Sequence, residues 1–288
     1  MTRALVIEGG SMRAAYANGV LAAFEDAGLA FDAVYGTSAG GALAAWWSAG
    51  QARFAAASWR YVADRRILSY RRWLLGRGPL LDHDALFDIV YAREHPLDIA
   101  ALAKAPHPVV VTATDAETGE TRYVDLRAGP VLAWLRATGR MPLASGPAVE
   151  IDGRRWVDGG VTDPIPIARA IADRHDRVVC VLNRPAGSRK PEPRFAVKLI
   201  ARRYPALAPF VARHHENHAR AVALAERPPA GVAVSIVRPA TPLGLSRFTR
   251  DPDAVARALA RGEADGRAWL ATGAAQPSAE AARPRPGP

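Results

Sequence analysis

The stretch VYGTSAGGAL, residues 34–43, sets a serine between two glycines where an apolar strand gives way to an alanine-rich helix. It constrains the fold because of what precedes it. ALVIE, residues 4–8, reads as a short buried strand, EGGSMR follows as a glycine loop, and apolar residues at Ala17, Val20, Leu21 and Phe24 keep helical spacing from about residue 13 to Gly28. Strand, glycine loop, helix, strand, glycine turn and helix therefore occupy the first fifty residues. That alternation implies an α/β fold with a mainly parallel sheet sandwiched by helices. The turn at Ser38 has two readings. It is either a nucleophile elbow, in which Gly36 and Gly40 leave room for a serine pushed out of the backbone, or an ordinary strand-to-helix turn in a chain with 24 glycines.

The rest of the chain continues the pattern. Residues 52–104 read as a helical insert, with Asp82 as the N-cap of LDHDALFDIVYAR. PVVVTATDAETGETRYVDL is a hairpin around residues 115–119, and VEIDGRRWVDGG is a tighter one with Asp152-Gly153 as its turn. GPVLAWLRATG is helical. RVVCVLN and GVAVSIV are expected as buried strands, separated by helical sequence through FAVKLIARRY and PFVARHHENHARAVALAE, and DPDAVARALARGEADGRAWL forms the last helix. One domain is expected over residues 1–271, with a Pro/Ala-rich, disordered tail over 272–288.

Composition narrows the function classes. A chain of 288 residues with 49% hydrophobic residues can bury a substantial core. Its single cysteine, Cys180, lies in an apolar strand and fits a small core hydrophobe in a reducing compartment. No apolar run approaches the ~20 residues of a spanning helix, so a cytoplasmic location is expected, with at most peripheral membrane contact. The net charge of +10 suits an anionic membrane surface. No nucleic-acid-reading motif accompanies it, so specific nucleic-acid binding is not expected. Oligomeric state has no sequence signature here.

Acyl transfer needs a nucleophile, a base and donors for the oxyanion. Ser38 is the candidate nucleophile. Gly9, Gly10 and Ser11 end the first strand and open a helix, where backbone N–H groups can serve as donors, and Arg13 lies one turn inside it. A phosphate or dinucleotide cradle would need G-x-G-x-x-G or G-x-x-x-x-G-K-[ST], and neither is present. None of the seven histidines stands where a triad base belongs. His83 begins a helix, while His214, His215 and His218 share one helix, read as a solvated or core-edge face and not a metal site. A carboxylate is the other candidate. Asp158 ends a strand before Gly159-Gly160, as either a projecting base or a simple turn. Its basicity as a free carboxylate, near pH 4, is poor unless burial raises it.

EGGSMRAAYANGVL, GTSAGG and VDGGVTDPIPI, in this order, together with the approach LRATGRMPLASGPAVEIDGRRWVDGG, resemble the patatin-like phospholipase family. The resemblance implies a three-layer patatin-like fold and a Ser38–Asp158 dyad without histidine. It implies an oxyanion hole around Gly9, Gly10 and Ser11, with Arg13 as the loop's basic residue, and the elbow glycines Gly36 and Gly40. It also implies a lipid acyl ester as substrate, an acyl-enzyme intermediate, and no metal or organic cofactor. The alternatives are a soluble short-chain esterase or thioesterase using the same dyad, and a catalytically silent lipid- or nucleic-acid-binding protein. Ser11 and Ala14 replace glycines usual in the family. A positive φ at Ser11 would carry strain of about 1 kcal/mol or more. Glu8, Tyr35, Thr37 and Asp163 read as packing or capping neighbours.

Overall fold

The computed structural model describes residues 2–190, 192 and 194–273, apart from the side chain of Arg194. The tail expected from residue 272 lies, from 274 onward, outside the described residues. The sheet is built from β1 (Arg3–Ile7), β2 (Ala33–Thr37), β3 (Val109–Asp115), β4 (Thr121–Asp125), β5 (Val149–Ile151), β6 (Arg154–Asp158), β7 (Arg177–Val181) and β8 (Ala233–Val237). The order β3-β2-β1-β7-β8 is parallel throughout. The runs ALVI, VVV and VVCV are apolar at every position because both faces of a parallel sheet are covered. β8 closes one edge. Only its last residue, Val237, is buried, so this strand is less enclosed than its apolar sequence suggests, having a single sheet neighbour.

Side-chain alternation sorts the core into two faces. Leu5, Ile7, Val34, Val109 and Val111 point to one face, under helices α1 (Ala14–Asp26) and α2 (Ala39–Ser48) and the helix Val131–Thr138. Ala4, Val6, Tyr35, Val110 and Cys180 point to the other, under the helices Ile167–Ala172 and His214–Glu226. The result is three layers with a mainly parallel sheet in the middle, as the alternation predicts.

β3 determines the shape of the site. β4 takes one edge of β3. On the other, β2 pairs as far as Thr37↔Thr112, and antiparallel β6 takes over at Asp158↔Ala113. Two strands thus run head to head along one edge and both turn out of the sheet where they meet.

The insert is helical, as expected, but in short pieces: Ala52–Ala56, Ala57–Ala63, Tyr70–Leu74, His83–Leu86, the wide-turned Phe87–Glu94 and Ile99–Ala103. Gly76 and Gly78, both with positive φ, and an antiparallel bridge Leu68↔Leu81 break it into pieces. Asp82 caps as expected, accepting from the Ala85 N–H at 3.0 Å. Buried Asn18 of α1 donates to the Ala52 carbonyl at 2.8 Å and accepts from Trp59 Nε1 at 2.8 Å, which pins the insert to the body.

The helix Pro252–Ala271 crosses α1 at backbone contact. A Cβ at Gly262 would stand 1.9 Å from the Tyr16 carbonyl oxygen, and one at Gly19 would stand 2.0 Å from that of Leu259. Gly262→Val should destabilise the protein by about 2–3 kcal/mol or more, read as a lowered denaturant midpoint with an unchanged slope. A variant as stable as the parent would mean that the two helices pack more loosely than this.

Candidate active site

At the end of β2 the backbone of Ser38 adopts φ 56° and ψ −128°. A residue other than glycine holds such a conformation only where the surroundings enforce it. Here the enforcement comes from the two glycines. A Cβ at Gly36 would lie 2.3 Å from the Gly40 carbonyl oxygen, and one at Gly40 would lie 2.6 Å from that of Ile7. The first turn of α2 therefore folds back onto β1 and β2, leaving the Ser38 side chain projecting. The Ser38 N–H donates to Thr138 Oγ1 at 2.9 Å, a support absent from the motif itself.

Asp158 arrives from the facing strand. Its N–H donates to the Arg140 carbonyl at 3.0 Å, and its carbonyl accepts from Thr114 Oγ1 at 3.0 Å. Arg140 is itself anchored to Asp84 of the insert, at 2.8 Å. The carboxylate accepts from the Gly160 N–H at 2.7 Å through Oδ1 and from Ser38 Oγ at 2.8 Å through Oδ2. Burial pushes the Asp158 carboxyl up to about 6, against hydrogen bonds from Gly160 and Ser38 that favour the charged form. Ser38 and Asp158, 120 residues apart, thus form one hydrogen-bonded pair. Among the described residues no histidine bonds to Ser38.

The glycine loop lies against this pair, since a Cβ at Gly9 would sit 3.3 Å from Ser38 Cβ. Its N–H groups are not equivalent. That of Gly9 donates to the Pro164 carbonyl at 3.1 Å, so it is engaged in holding the loop and is not a free donor. Those of Gly10 and Ser11 have no hydrogen-bond partner among the described residues. The donor set therefore contracts to Gly10 and Ser11. Ser11 does take a positive φ, 49°, and its hydroxyl donates to the Arg247 carbonyl at 2.7 Å, which offsets part of that strain. Ala14 is fully buried with ordinary helical angles, so the methyl group needs no adjustment there. Arg13 reaches the Leu245 carbonyl at 3.3 Å, and burial lowers it to about 10.

Beneath the loop, Glu8 accepts from His218 Nε2 at 2.8 Å and from the Asn183 N–H at 2.6 Å. Burial opposes charge on Glu8, but the His218 bond overrides it and holds the carboxyl below its ordinary range. His218, expected on a solvated or core-edge face, is 3% exposed and forms part of the loop's foundation. Asn183, Thr138 and His218 carry no motif signature. Only the neighbourhood of Thr138 in LRATGRMPLASGP hinted at a role. Tyr35 and Asp163 act as supports, bonding Asp173 and Tyr123 at 2.8 Å each. Thr37 bonds the Asp163 carbonyl at 2.9 Å.

A cavity of about 130 Å³ opens beside Ser38 and Ser11, with Met12, Leu43, Trp46, Phe87, Val90 and Leu135 among its walls. Its lining is chiefly apolar and comes from α2 and the insert. His83 also borders it, fully inside, and burial depresses the ring to about 3, so it stays neutral.

The folded Asp158 value stands above the unfolded carboxylate value near 4, so the folded state binds that proton more tightly. The ionised carboxyl therefore destabilises the fold above about pH 6, and the penalty fades as pH falls toward 4. Asp158→Asn should match the wild type in stability near pH 4 and exceed it by on the order of 2–3 kcal/mol near pH 8, measured by denaturant unfolding at both. A gap that does not widen with pH would contradict a buried, raised carboxyl.

The patatin-like phospholipase family model matches residues 5–171, and a second model, a domain of unknown function (DUF6363), matches residues 204–275. Uncharacterized NTE family proteins of Mycobacterium tuberculosis and Mycobacterium bovis are 27% identical over 178 residues, 62% of this chain and 48% of each relative. The chain spans about half the length of these curated relatives. The crystal structure of VipD from Legionella pneumophila aligns at a TM-score of 0.47 and 11% identity, covering 94% of this chain and 67% of that one.

Proposed function

Since the chain belongs to the patatin-like phospholipase family, whose model spans more than half of it, we propose that it is a serine acyl hydrolase acting on fatty-acyl esters of phospholipids or lysophospholipids. The observation that carries this reading is the 2.8 Å bond from Ser38 Oγ to the buried carboxylate of Asp158. Asp158 takes the hydroxyl proton as Ser38 attacks the ester carbonyl. The Gly10 and Ser11 N–H groups receive the developing negative oxygen. Asp158 then returns the proton to the departing alcohol, leaving an acyl-enzyme on Ser38. A water molecule, deprotonated by the same carboxylate, attacks the acyl carbon, and Asp158 returns that proton to Ser38 Oγ as the fatty acid departs. The raised basicity of Asp158 suits this work, because a carboxylate with a value near 4 would take the proton with little driving force.

The apolar cavity beside Ser38 supports a long acyl chain over a short one. Ser38→Ala and Asp158→Asn should each lower kcat on a p-nitrophenyl acyl ester by about a thousandfold or more with circular dichroism unchanged. The wild-type profile should lose activity as pH falls through about 6. Eight-carbon or longer esters should outpace those of two to four. Activity surviving in either variant rejects the dyad, and a peak at two to four carbons favours a short-chain esterase.

Residues Tyr70–Leu74 and Leu75 support contact with an anionic bilayer. Trp73 is 46% exposed, Leu74 73% and Leu75 54%, beside the exposed cation Arg71. Arg72 is not part of that face, because it donates to the carbonyls of Arg66 and Pro79 at 2.8 and 3.0 Å. No helix among the described residues is long and apolar enough to cross a membrane. Trp73→Ala with Leu74→Ala, and separately Arg71→Glu, should each weaken flotation with anionic vesicles about three- to tenfold. Unchanged flotation removes this face from the reading.

A further inference from the structure

Three cations gather behind the glycine loop, all outside the segment matched by the phospholipase family model. Arg184 and Lys190 lie on the chain that leaves β7, and Arg247 on the chain that leaves β8. Arg247 is tied to the site by its carbonyl, which accepts from Ser11 Oγ at 2.7 Å. Its guanidinium lies 3.3 Å from His214 Nε2, and Lys190 Nζ lies 3.4 Å from the same nitrogen. One ring nitrogen facing two cations can only be an acceptor, so His214 is neutral with its proton assigned to Nδ1. It holds two positive charges together without adding a third. Burial first, then Lys190 and Arg247, depress it to about 2.

Arg13 adds a fourth charge, repelled by Arg184 and Arg247. Burial lowers Lys190 to about 7, with Arg247, Arg184 and Arg13 adding repulsion against the pull of Glu8. Burial also lowers Arg247. Elsewhere the chain pairs its arginines with carboxylates, as at Arg53–Asp26, Arg127–Asp125 and Arg155–Glu117. Among the described residues none of these four cations has an ion pair. The two nearby carboxylates are already engaged: Glu8 by His218 and Asn183, and Asp158 by Ser38 and Gly160. Arg13, Arg184 and Lys190 are half-buried while Arg247 is exposed; gathering such like charges without a counter-ion is costly, and an anion that bridges them recovers that cost. The apolar cavity touches Ser38 and Ser11 but none of the four cations. An ester bound across Ser38 therefore meets apolar walls at one end and positive charge at the other.

We propose that Arg184, Lys190 and Arg247, with Arg13 beside them, form a phosphate-binding subsite for the alcohol portion of the substrate. Acyl esters whose alcohol carries a phosphate are then preferred over neutral acylglycerols. This rests on the hydrolase reading for its catalytic consequence, though not for the binding itself. A tetrahedral phosphate oxyanion matches the forked guanidinium donors and the ammonium of this cluster.

Three measurements test it. First, kcat/KM is compared for 1-acylglycerol-3-phosphate and 1-acylglycerol with the same chain, below their critical micelle concentrations. The phosphate ester should be favoured about tenfold or more, and in Lys190→Met and Arg247→Gln that ratio should fall about tenfold. Second, the Ser38→Ala protein should bind the phosphate ester about tenfold more tightly than the neutral one, a readout independent of turnover. Third, inorganic phosphate at fixed ionic strength should raise the melting temperature of the wild type more than that of either variant, with Lys190→Met melting higher than the wild type when phosphate is absent. A thermal response to inorganic phosphate without preference for the phosphate ester would mean a free-anion site only and would overturn the substrate assignment. Equal binding of the two esters by Ser38→Ala would overturn the subsite itself. Tight, phosphate-dependent binding without hydrolysis by the wild type would keep the subsite and reject the hydrolase reading.

Discussion

The site depends on two strands meeting end to end on one edge of β3. Thr37 closes β2 against Thr112, and Asp158 closes β6 against Ala113, the next residue of β3. Neither strand can continue, because the other occupies its hydrogen-bonding edge. Both chains must leave the sheet at that point, one through Ser38 into α2 and the other through Gly159–Val161. Ladder geometry thus delivers a hydroxyl and a carboxyl to within 2.8 Å. No flexible loop has to find its partner, so the pair is organised before any substrate arrives.

The same arrangement concentrates unfavourable terms. Ser38 and Ser11 both hold positive φ, Asp158 is buried with a raised carboxyl, and four cations stand together without counter-ions among the described residues. Each is affordable because rigid surroundings hold it: Gly36 and Gly40 at the elbow, the Glu8–His218 bond under the glycine loop, and the Ser11–Arg247 bond between that loop and the C-terminal half. Destabilising features gather at the candidate site, and the sheet with its two apolar faces supplies the stability that tolerates them.

Much of this was legible in the chain. Strand, loop, helix and elbow follow from apolar runs punctuated by glycine, and the Asp152-Gly153 turn fixes the hairpin that carries Asp158. The legible signals are local: periodicity, capping residues and turn chemistry. The helical character of the insert was legible, but its division into short pieces was not, because a bridge between Leu68 and Leu81 and two positive-φ glycines interrupt it. His218 read as lying on a solvated or core-edge face because its helix presents one polar stripe, and only the assembled fold brings that stripe to Glu8.

The sequence by itself determined the candidate site residues and the elements that present them, since those depend on neighbours a few positions away. The tertiary structure alone decided which N–H groups in the glycine loop are open, with Gly9 engaged by Pro164 and Gly10 and Ser11 left available. It also decided that Thr138 supports Ser38 and that Arg184, Lys190 and Arg247 converge behind Ser11. The physical reason is range. A hydrogen bond or a Coulomb repulsion acts over a few ångströms in space, and between residues a hundred or more positions apart that distance exists only once the sheet has assembled.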